Sequence, residues 1–158
     1  MKRILFVCTA NICRSATSEA ILKKVLLLNA LENKFVVESA GTESLVGVAP
    51  HPHAVKVAKK NEIDLSQHRG RQVTNEMIQN ADLVLCLSEN HKKMILGVFP
   101  EYDSKVFLLK EYQQPDLPEN LSVDDPTGKS KKKYQGCFDE LVNEISRILP
   151  SLSHTPTL

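Results

Sequence analysis

Ile4-Leu5-Phe6-Val7-Cys8-Thr9-Ala10-Asn11-Ile12-Cys13-Arg14-Ser15 opens the chain, and its two halves obey different patterns. The first four residues are a continuous apolar run, as in a strand buried on both faces of a parallel sheet. Then comes Cys-x5-Arg-Ser, ahead of a segment with Ala20, Ile21, Val25 and Leu28 at helical spacing. A strand that turns through a tight loop into a helix aims the loop N–H groups and the positive end of the helix dipole into the bend. The loop is therefore expected to bind an oxyanion. Cys8 would sit at its floor, where the same field favours a thiolate. Arg14 adds a planar fork of donors that matches two oxygens of a phosphoryl group.

Plainer readings of these residues explain less. A lone cysteine after an apolar strand is most often inert packing, and Cys8 with Cys13 has the spacing of half a metal site. Yet Cys86 and Cys137 stand alone, so no second pair lies at zinc-like spacing. Packing alone also has no use for an arginine six residues on.

Elements alternate along the rest of the chain without an internal repeat. Strands are expected at Arg3 to Val7, Phe35 to Ser39, Leu83 to Leu87 and Val106 to Leu109. Helices are expected from Arg14 to about Leu31, from Pro52 to Lys60, over Thr74 to Asn80, from a Ser88 cap to Val98, and along an amphipathic stretch from Phe138 that stops at Pro150. This pattern predicts one α/β domain over 1–150, a doubly wound, four-stranded parallel sheet with helices on both faces, followed by a flexible C-terminal tail at 151–158. In such folds ligands sit beyond the carboxyl ends of the strands, which is where Cys8 falls.

Composition narrows the class. A chain of 158 residues is enough for one ordinary core. A net charge of +1, without a basic stripe interleaved with aromatics, argues against a nucleic-acid partner. The apolar run after Lys2 and Arg3 is too short for a signal peptide or a spanning helix, so no membrane partner is expected. Four cysteines, one of them needed as a thiolate, suit a reducing, cytoplasmic setting. His51 and His53 straddle Pro52 and are expected in solvent.

The segment from Gln113 to Lys133 is too long for a mere connector, and Asp125 precedes Pro126 within it. Proline stiffens the backbone and can hold a carboxyl group over a site, though an Asp-Pro step is usually just a solvated turn. Asp124 is a second candidate for the same position.

Cys8 to Ser15 resembles the loop of the low-molecular-weight protein tyrosine phosphatase family, in the place where that family carries it. The resemblance continues through Ser39-Ala40-Gly41-Thr42, Gly47, Pro50 and Pro52, His68-Arg69-Gly70-Arg71-Gln72 and Asp124-Asp125-Pro126, in matching order, with only the last few residues unmatched. It implies that Cys8 attacks phosphorus while Arg14 and the loop amides of Thr9, Ala10, Asn11, Ile12, Cys13 and Ser15 hold the phosphoryl oxygens. Asp125 would protonate the leaving group. A phosphocysteine would follow, hydrolysed to release inorganic phosphate with no metal or organic cofactor. The implied substrate is a phosphotyrosine-containing protein or a small phosphomonoester, and the implied state is a monomer or weak dimer. Ser15 would donate to the Cys8 sulfur instead of serving as a simple first-turn cap. Asn11 suits a left-handed bend, and Ser39 and His68 would join it in supporting the loop. Cys13 is a candidate disulfide partner that would protect Cys8 from overoxidation.

Some positions depart from the family pattern. Ala10 stands where glycine is usual, harmless only at negative φ. Ala16 replaces a frequent proline. Thr127 and Leu45 fall where aromatics often wall the cleft, which weakens the expected grip on a phenyl ring. Lys129, Lys131, Lys132 and Lys133 read either as a solvated face or as an attractor for acidic peptides. Rival readings are a protein arginine phosphatase of the same family, which tends to carry threonine at the position of Ile12, a thioredoxin-coupled arsenate reductase, which needs further relay cysteines, and a non-catalytic phosphate binder.

Overall fold

Strands β1 (Lys2–Cys8), β2 (Phe35–Gly41), β3 (Leu83–Cys86) and β4 (Val106–Leu108) form one parallel sheet in the order β2-β1-β3-β4. The computed structural model describes residues 1–154. Successive residues of β1 face opposite ways, and both ways lead into core. Ile4, Phe6 and Cys8 join a layer with Ile21 and Leu22 of α1 (Arg14–Leu28), Val57 of α2 (Pro52–Lys60) and Leu141 and Ile145 of α5 (Lys131–Ser153). Leu5 and Val7 point to the other face, against Ile78 of α3 (Asn75–Asn80) and Ile95 of α4 (Glu89–Val98). Burial on both faces explains why the strand reads as an unbroken apolar run. No helix among the described residues is long and apolar enough to cross a membrane.

The strand order reverses between β1 and β3: from β1 the chain moves outward to β2, then returns to the other side for β3 and β4. The crevice at such a reversal is where open α/β sheets take ligands. Cys8 closes β1 at that crevice, and Leu87, just past β3, accepts a 2.7 Å bond from the Val123 N–H. That bond ties the long segment before α5 to the same end of the sheet.

Several expected boundaries move. α1 stops at Leu28 because Ala30 turns left-handed at φ 54°, and the Leu31 N–H bonds back to the Leu26 carbonyl at 2.9 Å. α5 begins earlier than its apolar stripe implies, at Lys131, and runs past Pro150 to Ser153. The proline falls in the last turn, where its missing N–H costs a single helical bond, and the burial of Leu152 carries the apolar stripe beyond it. Helix therefore covers 151–153 of the expected tail, and 155–158 lie outside the described residues. His51 and His53 are half-buried, not solvated: His51 stacks on Tyr134 at 4.8 Å, and His53 meets the same ring edge-on at 5.3 Å.

Gly41 shows how closely the loop after β1 is seated. It pairs with Cys8 across the sheet, and a Cβ on it would stand 2.3 Å from the Thr9 carbonyl oxygen. Gly41→Ala is therefore expected to push the loop off the sheet and cost about 1–3 kcal/mol, read from urea unfolding midpoints. An unchanged midpoint would show that the loop moves aside freely.

Candidate active site

Six consecutive carbonyls of the loop are turned outward, each by its own donor. Cys8 O accepts from the Thr42 N–H and Thr9 O from the Glu43 N–H, both at 2.9 Å. Ala10 O accepts from the Ser44 hydroxyl and Asn11 O from His68 Nε2, both at 2.8 Å. Ile12 O accepts from the His51 N–H at 2.9 Å, and Cys13 O from the Thr17 N–H at 2.8 Å. A planar peptide that points its oxygen out points its hydrogen in. Among the described residues, the N–H groups of Thr9 through Cys13 find no protein acceptor, so they form a bowl of donors above the N-terminus of α1.

Asn11 holds the bowl in shape. Its φ of 57° makes the left-handed bend, and its amide, 0 % exposed, bonds in three directions. Nδ2 donates to Ser15 Oγ at 2.7 Å and to Ser39 Oγ at 3.0 Å, while Oδ1 accepts from the Arg71 N–H at 3.0 Å. Because Ser39 and Ser15 both accept from Asn11, their own protons are free to point onward. Ser39 gives its proton to the Glu19 carboxylate. Ser15 gives its proton toward the Cys8 sulfur, 2.9 Å away. Ala10 has no positive φ, so the usual glycine is not required there.

Arg14 is buried at 6 % exposure, with one arm anchored. Its NH1 donates to the Val123 carbonyl at 3.1 Å, while NH2 reaches Thr9 Oγ1 at 3.5 Å and Asp125 Oδ2 at 3.6 Å. Asp125 is thus brought to the loop. Asp124 is exposed and forms no ion pair among the described residues. Burial alone would raise the Asp125 carboxyl. Hydrogen bonds from Thr127, its N–H at 3.0 Å among them, together with the charges of Arg14 and Lys129, outweigh that and hold it below the usual range.

Behind this group lies His91, 2 % exposed, which the sequence reading did not single out. Its Nδ1 accepts from the Ser88 N–H at 3.0 Å in a capping box at the start of α4, and its Nε2 lies 2.9 Å from Thr9 Oγ1. Burial, with the nearby Arg14 charge, pushes its pKa down to about 4. A neutral ring that accepts at Nδ1 carries its proton on Nε2, and so donates to Thr9. Glu19, Arg71 and Val123 also escaped selection, since each joins the site through folding and not through a local motif.

All four cysteines are buried. Contact with Cys137, then burial, pushes the Cys13 thiol up; the two share a tight space with Thr17, Tyr134 and Phe138. Cys86 is pushed up to about 12 by burial. Leu45 is 77 % exposed, Ile12 is half-buried, and the four lysines from Lys129 to Lys133 lie in solvent.

An amide bowl over a cysteine, an arginine fork at its rim and a carboxyl group beside that fork define a site suited to cysteine-based phosphoryl chemistry. The family profile described as "Low molecular weight phosphotyrosine protein phosphatase" matches residues 3–156. The Bacillus subtilis protein-arginine-phosphatase is 36% identical over 149 residues, covering 94% of this chain and 95% of that protein. Low molecular weight protein-tyrosine-phosphatase Wzb of Escherichia coli K12 is 31% identical over 135 residues, covering 85% and 84%. The crystal structure of a low molecular weight protein tyrosine phosphatase from T. tengcongensis superposes with a TM-score of 0.87 at 32% identity, covering 96% of this chain and 99% of that one. The chain belongs to the low molecular weight phosphotyrosine protein phosphatase family.

The His91 environment sets a pH dependence. An unfolded imidazole takes up a proton near pH 6.5, whereas the folded one resists until about 4, so between those values unfolding binds a proton and acid favours it. Stability is expected to fall by on the order of 3 kcal/mol across that window and no further from this group below it. Urea titrations at pH 7, 5.5 and 4.5 should show a shallower slope for His91→Asn, which cannot titrate. Equal slopes would remove His91 from the account.

Proposed function

We propose that this protein hydrolyses phosphotyrosine in proteins, and small aryl phosphates, through a phosphocysteine. The reading is carried by one observation: the Cys8 sulfur, with a Ser15 donor at 2.9 Å, lies under the inward N–H groups, and the Arg14 guanidinium that closes the bowl is 3.6 Å from Asp125. Nucleophile, oxyanion donors and acid thus serve one phosphorus atom.

Anionic Cys8, stabilised by the Ser15 hydroxyl, attacks phosphorus in line. The loop amides and Arg14 take the equatorial oxygens as charge develops on them. The P–O bond breaks, and Asp125 gives its proton to the departing phenol oxygen. The resulting Asp125 carboxylate then takes a proton from water as its oxygen attacks phosphorus; the S–P bond breaks, and inorganic phosphate leaves with Cys8 again anionic. Asn11, Ser39 and His68 act by holding the bowl in shape.

Arginine-directed relatives make phosphoarginine the rival substrate. Ile12, at the position where the arginine-directed enzymes tend to carry threonine, favours tyrosine, since an apolar side chain suits a ring better than a guanidinium. A relay to an external thiol needs further cysteines close to one another along the chain, and Cys86 has none in the segment that follows it, so the arsenate reductase reading is set aside.

Cys8→Ser is expected to abolish turnover. Asp125→Ala is expected to cost roughly 100-fold or more in kcat on phenyl phosphate, and less on p-nitrophenyl phosphate, whose leaving group needs a proton less. Equal losses on both esters would take the acid role from Asp125. Side-by-side peptides should show the higher kcat/KM on phosphotyrosine than on phosphoarginine, and the reverse order would move the assignment to the arginine enzymes. We also propose that peroxide closes a Cys8–Cys13 disulfide, so that Cys13→Ala loses recovery by dithiothreitol; full recovery in that variant would exclude the protective role.

A further inference from the structure

His91 is a buried titratable side chain that the proposed chemistry leaves unused. It sits 82 residues from Thr9 in sequence and bonds to it directly. Thr9 is itself unusual in its partners. Its hydroxyl oxygen lies 2.9 Å from His91 Nε2 and 3.5 Å from Arg14 NH2. An arginine nitrogen can only donate, and so does the Nε2–H tautomer fixed by Ser88. Both lone pairs of Thr9 Oγ1 are therefore engaged, and its single proton has to be given elsewhere. Among the described residues no protein acceptor for that proton is found. On the phosphatase reading the loop in which Thr9 stands is an anion site, and an oxygen of a bound phosphoryl group would be the acceptor that completes the set.

We propose that His91 is a positioning residue: its Nε2–H donates to Thr9 Oγ1, which orients the Thr9 hydroxyl proton toward the bound phosphoryl group and steadies the NH2 arm of Arg14. The Arg14 fork is held on one side by the Val123 carbonyl at 3.1 Å. On the other side it meets only Thr9 and the half-exposed Asp125. Without a fixed Thr9, the arm nearest Asp125 would be free to swing toward that carboxylate and away from the anion. Ser88 makes the arrangement rigid. Its N–H on His91 Nδ1 sets both the ring angle and the tautomer, so the cap of α4 is also a brace for the loop after β1.

This inference rests on the phosphatase reading, and the two can fail separately. His91 has two jobs, one per ring nitrogen, and two substitutions divide them. In His91→Asn the amide oxygen falls near the position of Nδ1 and keeps the Ser88 bond while losing Thr9. In His91→Gln the longer amide reaches Thr9 with a donor while losing the cap. Thr9→Val removes the hydroxyl and keeps the shape. Steady-state kinetics on p-nitrophenyl phosphate and calorimetric binding of inorganic phosphate should be measured on the full chain for each variant, and for Thr9→Val with His91→Asn combined.

The expected result is a loss of roughly ten-fold in kcat/KM and in phosphate affinity for His91→Asn at a near-native melting temperature, since about one directed hydrogen bond is removed. Thr9→Val should match it, the double variant should lose little more than either single one, and His91→Gln should recover most of the activity despite lower stability. Phosphate affinity unchanged in His91→Asn overturns the proposal, as does a double variant whose losses multiply. Should His91→Asn not fold, unchanged phosphate affinity in Thr9→Val overturns it equally. A wild-type protein that binds phosphate but turns over no ester would instead sink the phosphatase reading and leave this one standing on the binding data.

Discussion

Which way six peptide planes face, from Cys8 to Cys13, decides whether this molecule has a site at all. Rotated the other way, the same residues would present carbonyl oxygens to the bend and repel any anion. The bowl is held by donors from four separate segments: Thr42, Glu43 and Ser44 after β2, His51 at the cap of α2, His68 before the Arg71 turn, and Thr17 in the first turns of α1. Each donor satisfies a carbonyl that would otherwise be buried and unpaired, a cost of about 1–3 kcal/mol apiece. Fold stability and the proposed anion binding thus rest on one set of bonds.

The sheet supplies the platform for that arrangement. Residues 2–8 pair with β2 and residues 4–7 with β3 as well, so β1 is held from both sides up to the residue before Cys8, and Gly41 lets β2 approach its end without a side chain between. The loop that carries Asp125 is tied to the same edge by Val123, which spends its N–H on Leu87 and its carbonyl on Arg14. A residue with no chemistry of its own therefore sets the distance between the acid and the arginine.

The difference between what was legible in the sequence and what was not follows from the range of the forces involved. The apolar run of β1, the loop after it and the proline that opens α2 are local patterns, and the structure places them as expected. Asn11 was legible because a left-handed bend restricts residue type. His91 was not, because a histidine three residues after a serine is an ordinary helix start, and its second bond depends on β3 delivering α4 beside β1. Pro150 misled for the opposite reason. The local rule against proline in helices is sound, but burial of Leu152 outweighs the loss of one bond in a final turn. The half-buried His51 and His53 likewise answer to Tyr134, more than 80 residues away, and not to the polar look of their own segment.

Asp125 draws these elements together, since the proposed chemistry asks it to be an acid first and a base second. In the free protein Arg14, Lys129 and the Thr127 donors hold its carboxyl below the usual range, which is the state a base needs. A phosphate dianion entering the bowl changes the balance. It engages the Arg14 fork, so the guanidinium no longer compensates Asp125 alone, and it brings like charge close to the carboxylate, an arrangement that favours the protonated form. After the phenol departs with that proton, the thiolate charge has been consumed in the S–P bond, so the bowl holds one negative charge fewer, and Arg14 again favours the carboxylate just when water must be deprotonated. The occupant of the bowl thereby sets the protonation of the group beside it. With NH1 held by Val123 and NH2 placed between Thr9 and Asp125, Arg14 can transmit the change in charge without moving its backbone.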